Sequence, residues 1–192
     1  MVLRDAAAAL TRADTWTRTT GASANPGAVS VTTGANTKPG NYSIQVNQLA
    51  AAQSNATGVF ASADALVGEG TLTIELGTWG AAQGSFTPKV GATAVQIAVG
   101  PPAQSLAQLR DTINASGAGV VASVLSDASG ARLVLRSSSP GVSNAFRVNV
   151  ADGDGNDGDG LGLSALAFDP SAGILTMAQA LAAANASATL NN

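Results

Sequence analysis

The chain has 192 residues, of which 45% are hydrophobic, and a formal net charge of -3 at pH 7. Its 40 alanines and only seven aromatic residues predict a thin core, which favours two modest domains over one thick globule. Cysteine and histidine are absent, which excludes thiolate metal sites, thiol catalysis and the usual general base near neutral pH. The nine basic residues are scattered and no apolar run approaches the roughly 18 residues of a membrane span, so we expect neither nucleic acid nor membrane as a partner.

The sequence also contains none of the common catalytic motifs. Only 11% of the residues are charged, a composition that favours an exported protein with an uncharged polar surface. No nucleophile motif of the G-x-S-x-G or S-x-x-K type occurs, and the two glutamates, Glu69 and Glu75, form no paired-carboxylate pattern. We therefore predict a protein that is not an enzyme, with no catalytic, cofactor-binding or metal-ligating residue and no cofactor.

The N-terminal part of the chain predicts one helix and two strands. Residues 2–14 are alanine-rich with apolar residues on one helical face, and their abrupt start suggests a cut fragment. Residues 28–33 and 42–48 alternate apolar and polar side chains, and turn-forming residues separate them at 34–41. We expect these two strands to pair in a hairpin.

Residues 49–70 show no clear periodicity and consist mostly of small residues, which favours a crossing between two domains. Beyond them, residues 71–77 and 94–99 alternate as half-buried strands, whose inward positions are Leu72, Ile74, Leu76, Val95, Ile97 and Val99. The proline pair that follows should stop the second strand, because proline has no amide hydrogen to donate.

The strongest local signal is a helix that begins after Ser105. Ser105 as N-cap and Gln108 three residues later form a capping box, and Gly117 marks the end of the helix. The helix leads into residues 119–137, where alternating segments on both sides of the turn sequence SDASG predict a hairpin. One more strand is predicted at residues 146–150.

An acidic, glycine-rich stretch, DGDGNDGDG at residues 152–160, follows that strand directly. Gly153, Gly155 and Gly158 satisfy the dinucleotide pattern G-x-G-x-x-G, but four aspartates would repel a pyrophosphate and no capped helix follows. The stretch also resembles one copy of a calcium-binding nonapeptide repeat, although such sites form between stacked copies. A solvated connection between strands is the favoured interpretation.

The same stretch is only a partial match to an EF-hand loop. Asp152, Asp154 and Asn156 occupy positions one, three and five of such a loop. Asp157 stands where glycine is needed, and Leu163 stands where a glutamate should close the ligand shell. A weak calcium site is the most that this pattern supports.

The C-terminal part contains a second alanine-rich segment at residues 176–186, in which Thr176 and Gln179 have the spacing of a weaker capping box. Residues 188–192 look like the start of an unfinished strand. Of the two tryptophans, Trp16 and Trp79, we expect packing roles more than exposed recognition roles, because large side chains are scarce in this chain.

Three segments resemble known flagellar proteins. Residues 105–148 resemble the flagellin hook IN motif, in which a short helix with an Ile–Asn pair, here Ile113 and Asn114, precedes a hairpin with an RLVL(T/R)S strand and a (T/P)G..NA turn. Residues 14–53, which include PGNYSIQVNQLA, resemble the N-terminal region of the bacterial flagellar filament cap protein family. Residues 162–192 resemble the point where that family's head returns to its stem, although Asn192 replaces the usual glycine.

The strand patterns and the resemblance together imply an α+β fold, predominantly antiparallel β. Two small elongated domains are expected, with a head domain inserted into a discontinuous stem domain. Residues 1–48 would form the first, β-rich limb of the stem. Residues 49–178 would form the head, with the hook IN motif at 105–148, and residues 179–192 the truncated start of the return limb.

The resemblance implies a structural cap of the bacterial flagellar filament, which assists the folding and incorporation of exported flagellin at the filament tip. The protein would lie outside the cell after export by the flagellar type III system. Implied partners are further copies in a cap ring, flagellin and the hook–filament junction proteins, and the family's coiled coils would lie outside this fragment. Two alternatives stay open: an outward-facing adhesin head that binds host mucin or glycans, and a weak calcium-binding module.

Overall fold

A computed structural model of the protein describes residues 2–11, 19–34 and 36–191. The chain divides into two compact units. One unit comprises Met1–Ile44 together with Leu190–Asn192, and the other comprises Gln45–Thr189. No helix in the described part of the chain is long and apolar enough to cross a membrane.

The first unit contains one short helix, α1 (Val2–Leu10), and an irregular segment. Residues 28–33 form no strand among the described residues, so the predicted hairpin is wrong. Threonine hydroxyls hold this segment instead, since Thr33 Oγ1 donates to the Thr19 carbonyl and Thr19 Oγ1 donates to the Thr37 carbonyl, each at 2.7 Å. Such side-chain bonds compete with a strand ladder for the backbone groups.

The second predicted strand does form, but with a different partner. Strand β1 (Ile44–Gln48) pairs with β12 (Ser187–Leu190) in a two-stranded sheet. The side-chain amide of Asn47 supports this pairing by donating to Thr189 Oγ1 at 2.9 Å. The predicted C-terminal strand is therefore present.

A six-stranded sheet and a four-stranded sheet form most of the second unit. In the larger sheet the order is β10-β9-β8-β3-β4, and β5 pairs with the opposite end of β3 from β4. Its long central pair runs antiparallel from Gly70 opposite Asp152 to Gly77 opposite Ala145. The strands are β3 (Gly70–Trp79), β4 (Phe86–Pro88), β5 (Val95–Val99), β8 (Ala145–Asp152), β9 (Phe168–Asp169) and β10 (Ile174–Leu175).

The four-stranded sheet has the order β11-β2-β7-β6, and all its pairs are antiparallel. Its strands are β2 (Ser54–Ala56), β6 (Val120–Asp127), β7 (Gly130–Ser137) and β11 (Ala178–Leu181). The predicted hairpin at 119–137 is confirmed as β6 and β7. Residues 49–70, expected as a crossing without a strand pattern, contain β2, whose partner β7 lies about 80 residues further along the chain.

One hydrophobic core joins the two sheets to α2 (Leu106–Ala115). The helix buries Leu106, Leu109 and Ile113, whose three- and four-residue spacing places them on one helical face. The alternation predicted for β3 and β5 is confirmed at Leu72, Ile74, Ile97 and Val99, all buried. The fold is α+β and predominantly antiparallel β, as predicted.

The alanine-rich segment at 176–186 forms no helix, and the weaker capping box is not made. The hydroxyl of Thr176 shares its one hydrogen between the carbonyls of Ser164 and Ala167, both at 2.7 Å, and the backbone that follows is extended, so there is no helix start for it to cap. Residues 178–181 instead extend as β11 along β2. Pairing with an open sheet edge outweighs the helix propensity of alanine here.

Candidate functional site

The helix–hairpin unit, which we define as α2 with β6 and β7, begins at a complete capping box. Ser105 Oγ accepts from the Gln108 amide at 3.2 Å, and Gln108 Oε1 accepts from the Ser105 amide at 2.9 Å. The helix ends before Gly117, whose φ of 70° suits a residue without a Cβ. The predicted start and end of this helix are therefore confirmed.

The Ile–Asn pair at the end of α2 has two separate structural roles. Ile113 is fully buried in the core. Asn114 Nδ2 donates to the Ala122 carbonyl at 2.9 Å, and Asn114 Oδ1 accepts from the Ala122 amide at 2.8 Å. Because β6 is the last strand of its sheet, this side-chain amide replaces a missing neighbouring strand at that point. The pair therefore fixes the helix to both the core and the sheet edge.

A second side-chain amide, that of Gln53, acts in the same way on the larger sheet. Gln53 Nε2 donates to the Phe146 carbonyl at 2.9 Å, and Gln53 Oε1 accepts from the Phe146 amide at 3.1 Å. Its backbone carbonyl accepts from the amide of Ser137, the last residue of β7 in the smaller sheet, so this buried residue connects both sheets. Gln53 was not predicted as a functional residue, and the sequence marks it only as a glutamine that directly follows an alanine run.

Trp79 packs inside the second unit, as predicted. Its ring meets Phe86 and Phe168 edge-on, with centroid distances of 4.6 and 5.9 Å, and its Nε1 donates to Gln53 Oε1 at 3.2 Å. Such edge-to-face pairs add stability beyond the area they bury. Trp16 lies outside the described residues.

A half-buried ion-pair group lies beside these aromatic rings. Arg147 donates through Nε to Glu75 at 2.8 Å and through Nη1 to Asp169 at 3.3 Å, and its guanidinium lies 4.9 Å from the Phe86 ring centroid. Glu75 is the cross-strand partner of Arg147, which explains their contact. Both carboxylates are held by this one guanidinium, and Asp169 also accepts from the Ser171 and Ala172 amides, which indicates a structural role.

The acidic stretch at residues 152–160 forms an exposed connection between β8 and a 3₁₀ helix at Gly162–Leu166, which matches the favoured interpretation. Its carboxylates are bound to nearby backbone amides. Asp152 Oδ2 accepts from Ser164, Asp154 Oδ1 from Asn156 and Asp157 Oδ1 from Asp152. The Asp154–Asn156 bond is an Asx turn, and the other two bonds join residues 12 and 5 positions apart, so together they hold the loop closed.

Asp159, near the end of this loop, accepts two hydrogen bonds. It accepts from the Leu161 amide at 2.9 Å and from Ser164 Oγ at 2.7 Å, and these hydrogen bonds, the backbone one first, lower the pKa of Asp159. Among the described residues, no group of three or more acidic side chains is placed to hold a metal ion. The carboxylates of this loop therefore accept hydrogen bonds from the loop itself and from the 3₁₀ helix that follows it.

Comparison with known proteins agrees with this architecture. Residues 2–53 match the family model for the flagellar hook-associated protein 2 N-terminus, and residues 83–139 match the model for the flagellin hook IN motif. The second match contains all of α2, β6 and β7. Through its helix–hairpin unit, the chain therefore belongs to the class of proteins that carry a hook IN motif.

Relatives and solved structures identify the family. The B-type flagellar hook-associated protein 2 of Pseudomonas aeruginosa is 36% identical over 155 residues. The D2–D3 domains of the flagellar cap protein FliD from Serratia marcescens are 30% identical, with a TM-score of 0.63 over 83% of this chain and 78% of that chain. The corresponding domains from Escherichia coli are 28% identical, with a TM-score of 0.65 over 84% of this chain and 75% of that chain. The chain belongs to the FliD family of flagellar cap proteins, as its sequence predicts.

The matched region is a part of its longer relatives. The match covers 79% of this chain but only 30% of the Pseudomonas aeruginosa protein, and 42% of the Escherichia coli D1–D2–D3 structure. The solved relatives from Escherichia coli and Serratia marcescens are flagellar cap proteins.

Proposed function

We propose that the chain is part of a bacterial flagellar filament cap, which assists the folding and incorporation of exported flagellin at the filament tip. The observation that carries this proposal is the helix–hairpin unit, which lies within the hook IN match and is fixed by Ile113 and Asn114. Membership of the FliD family supports the same function. The action is mechanical, because it rests on the shape and surfaces of the protein.

The proposal includes the protein's location and its partners. Further copies of the chain would form the cap ring, and flagellin would be the assembled substrate. The protein would act outside the cell at the flagellum tip, after export by the flagellar type III system. Hook–filament junction proteins and host mucin stay predictions from the family resemblance. No contact in the described part of the chain favours the adhesin or the calcium alternative.

We also propose the domain division that the sequence predicts. Residues 1–48 would form the first limb of the stem, residues 49–178 the head, and residues 179–192 the start of the return limb. The pairing of β1 with β12 supports a stem built from two distant limbs, because one strand comes from each limb. The position of the hook IN match, at 83–139, supports a head between them.

The cap function is tested by genetic complementation. The full-length protein that contains this chain is expressed in a strain that lacks its own cap protein, and filaments are counted by electron microscopy. We expect filaments to return. The disruptive variant Ile113→Asp buries an unpaired charge in the core of the helix–hairpin unit, so it should fail to restore filaments. Normal export of the unmodified protein with flagellin released as free monomers would contradict the cap function.

A further inference from the structure

The outer face of the four-stranded sheet combines apolar and cationic side chains. On β7, Leu133 and Leu135 point into the core, so Arg132, Val134 and Arg136 point outward. The cross-strand partners of the two arginines on β6 are Leu125, which is 61% exposed, and Val121, which is 49% exposed. We name this surface the arginine face and define it by Val121, Leu125, Arg132, Val134 and Arg136.

The two arginines of this face differ from the other cations of the second unit. Lys89 donates to Asn144, Arg110 pairs with Asp111, and Arg147 pairs with Glu75 and Asp169. Within the described residues, Arg132 and Arg136 make no ion pair. Arginine is enriched at protein interfaces relative to the rest of the protein surface, and its guanidinium pairs well with a carboxylate of a partner.

The acidic loop at residues 152–160 supplies the complementary charge. Asp154, Asp157 and Asp159 are exposed, and no cation of the described chain forms an ion pair with them. The loop follows β8 of the six-stranded sheet, whereas the arginine face belongs to the four-stranded sheet. Because the two patches carry opposite charge and make no ion pair within one chain, each can be occupied by the other patch from a second copy.

We propose that the arginine face of one copy docks on the acidic loop of the next copy. Such a contact joins two different surfaces, and repeated head-to-tail contacts generate either closed rings or open filaments. The proposal deepens the cap function proposed above, since it names the surfaces through which copies would meet in the ring. Exposed charges at the contact make the association sensitive to salt.

The experiment measures self-association of the purified 192-residue chain by sedimentation velocity at rising protein concentration, in low and high salt. We expect concentration-dependent association in low salt that weakens in high salt. The variant R132E/R136E, and separately D154K/D157K, should each weaken association at least about tenfold, because each places like charges across the contact. The control K38E/R110E makes the same change in net charge as R132E/R136E, at positions outside both patches, and should associate like the unmodified chain.

Mixing the two variants gives the decisive result. In an equal mixture every face meets a loop of opposite charge when the variants alternate, so association should return although each variant alone stays dispersed. Monomeric behaviour of the unmodified chain, or a mixture that does not associate, overturns the proposed contact. A thermal melt of each variant that matches the unmodified chain confirms that folding is intact. Because the measurement does not involve filaments, the contact can fail while complementation still supports the cap function.

Discussion

Two segments of this chain carry the same helix-start signal, and only one of them becomes a helix. At Ser105 and Gln108 both bonds of the capping box form, and α2 follows. At Thr176 and Gln179 the spacing is identical, yet the chain extends as β11. The main strand partners of α2 are β5 and β6, within about 20 residues, whereas β11 pairs with β2, more than 120 residues away. A local signal therefore decides the structure where the packing partners are also local.

The first test of this contrast removes the side-chain amide that joins distant parts of the chain. Gln53→Leu leaves the amide and carbonyl of Phe146 and the indole N–H of Trp79 without their partner. We expect the free energy of unfolding to fall by about 3 kcal/mol, since each buried polar group left unpaired costs about 1–3 kcal/mol. Urea unfolding followed by circular dichroism measures the change.

The matched control for this variant is Gln48→Leu, because Gln48 is exposed and its side chain makes one long hydrogen bond of 3.4 Å. Its effect should stay within about 0.5 kcal/mol, as is usual for surface substitutions. Equal losses for the two variants would show that Gln53 does not connect the sheets in the way its contacts indicate.

The sequence predicted the helix–hairpin unit closely, because each of its signals acts within a few residues. The capping box, the alternation around Leu133 and Leu135, and the SDASG turn all lie inside one 33-residue segment. Ile113 and Asn114 were identified through the family resemblance, but the bond from Asn114 to Ala122 required the structure. The pairing of β1 with β12 was not predictable from alternation, since a strand pattern does not name its partner.

The candidate site was less predictable than the fold. Gln53 and Asp169 are buried polar residues whose partners lie 93 and 22 residues away, and no short motif marks such contacts. The acidic loop was correctly expected as an exposed connection, but the backbone bonds of its aspartates depend on turns that composition alone does not specify. Charge and glycine content predict where such a loop lies, and its hydrogen bonds follow from the exact chain path.

The helix-start signal of α2 can be tested at its N-cap residue, Ser105. Ser105→Ala removes the acceptor for the Gln108 amide at the start of α2. The free energy of unfolding should fall by about 1 kcal/mol, the usual cost of losing an N-cap side chain. Ser105→Asp keeps an acceptor and places a negative charge at the helix N-terminus, so it should be close to the unmodified protein in the same urea titration. A loss for the aspartate variant as large as for alanine would argue against a capping role.

The smallest expected effect is at Asp159, in the acidic loop, and it depends on pH. Hydrogen bonds from the Leu161 amide and the Ser164 hydroxyl lower the pKa of Asp159 in the folded protein. A carboxylate with a lowered folded pKa stabilises the fold above its unfolded value of about 4, and this contribution disappears as the pH falls through the folded pKa. Asp159→Asn should therefore be slightly less stable than the unmodified protein at pH 7, and the difference should shrink in acid.

Ser164→Ala removes one of the two donors and should reproduce part of the change in pH dependence. Thermal melts between neutral and acidic pH test this, and an identical pH dependence for Asp159→Asn and the unmodified protein would show that the charge of Asp159 is not held by these bonds.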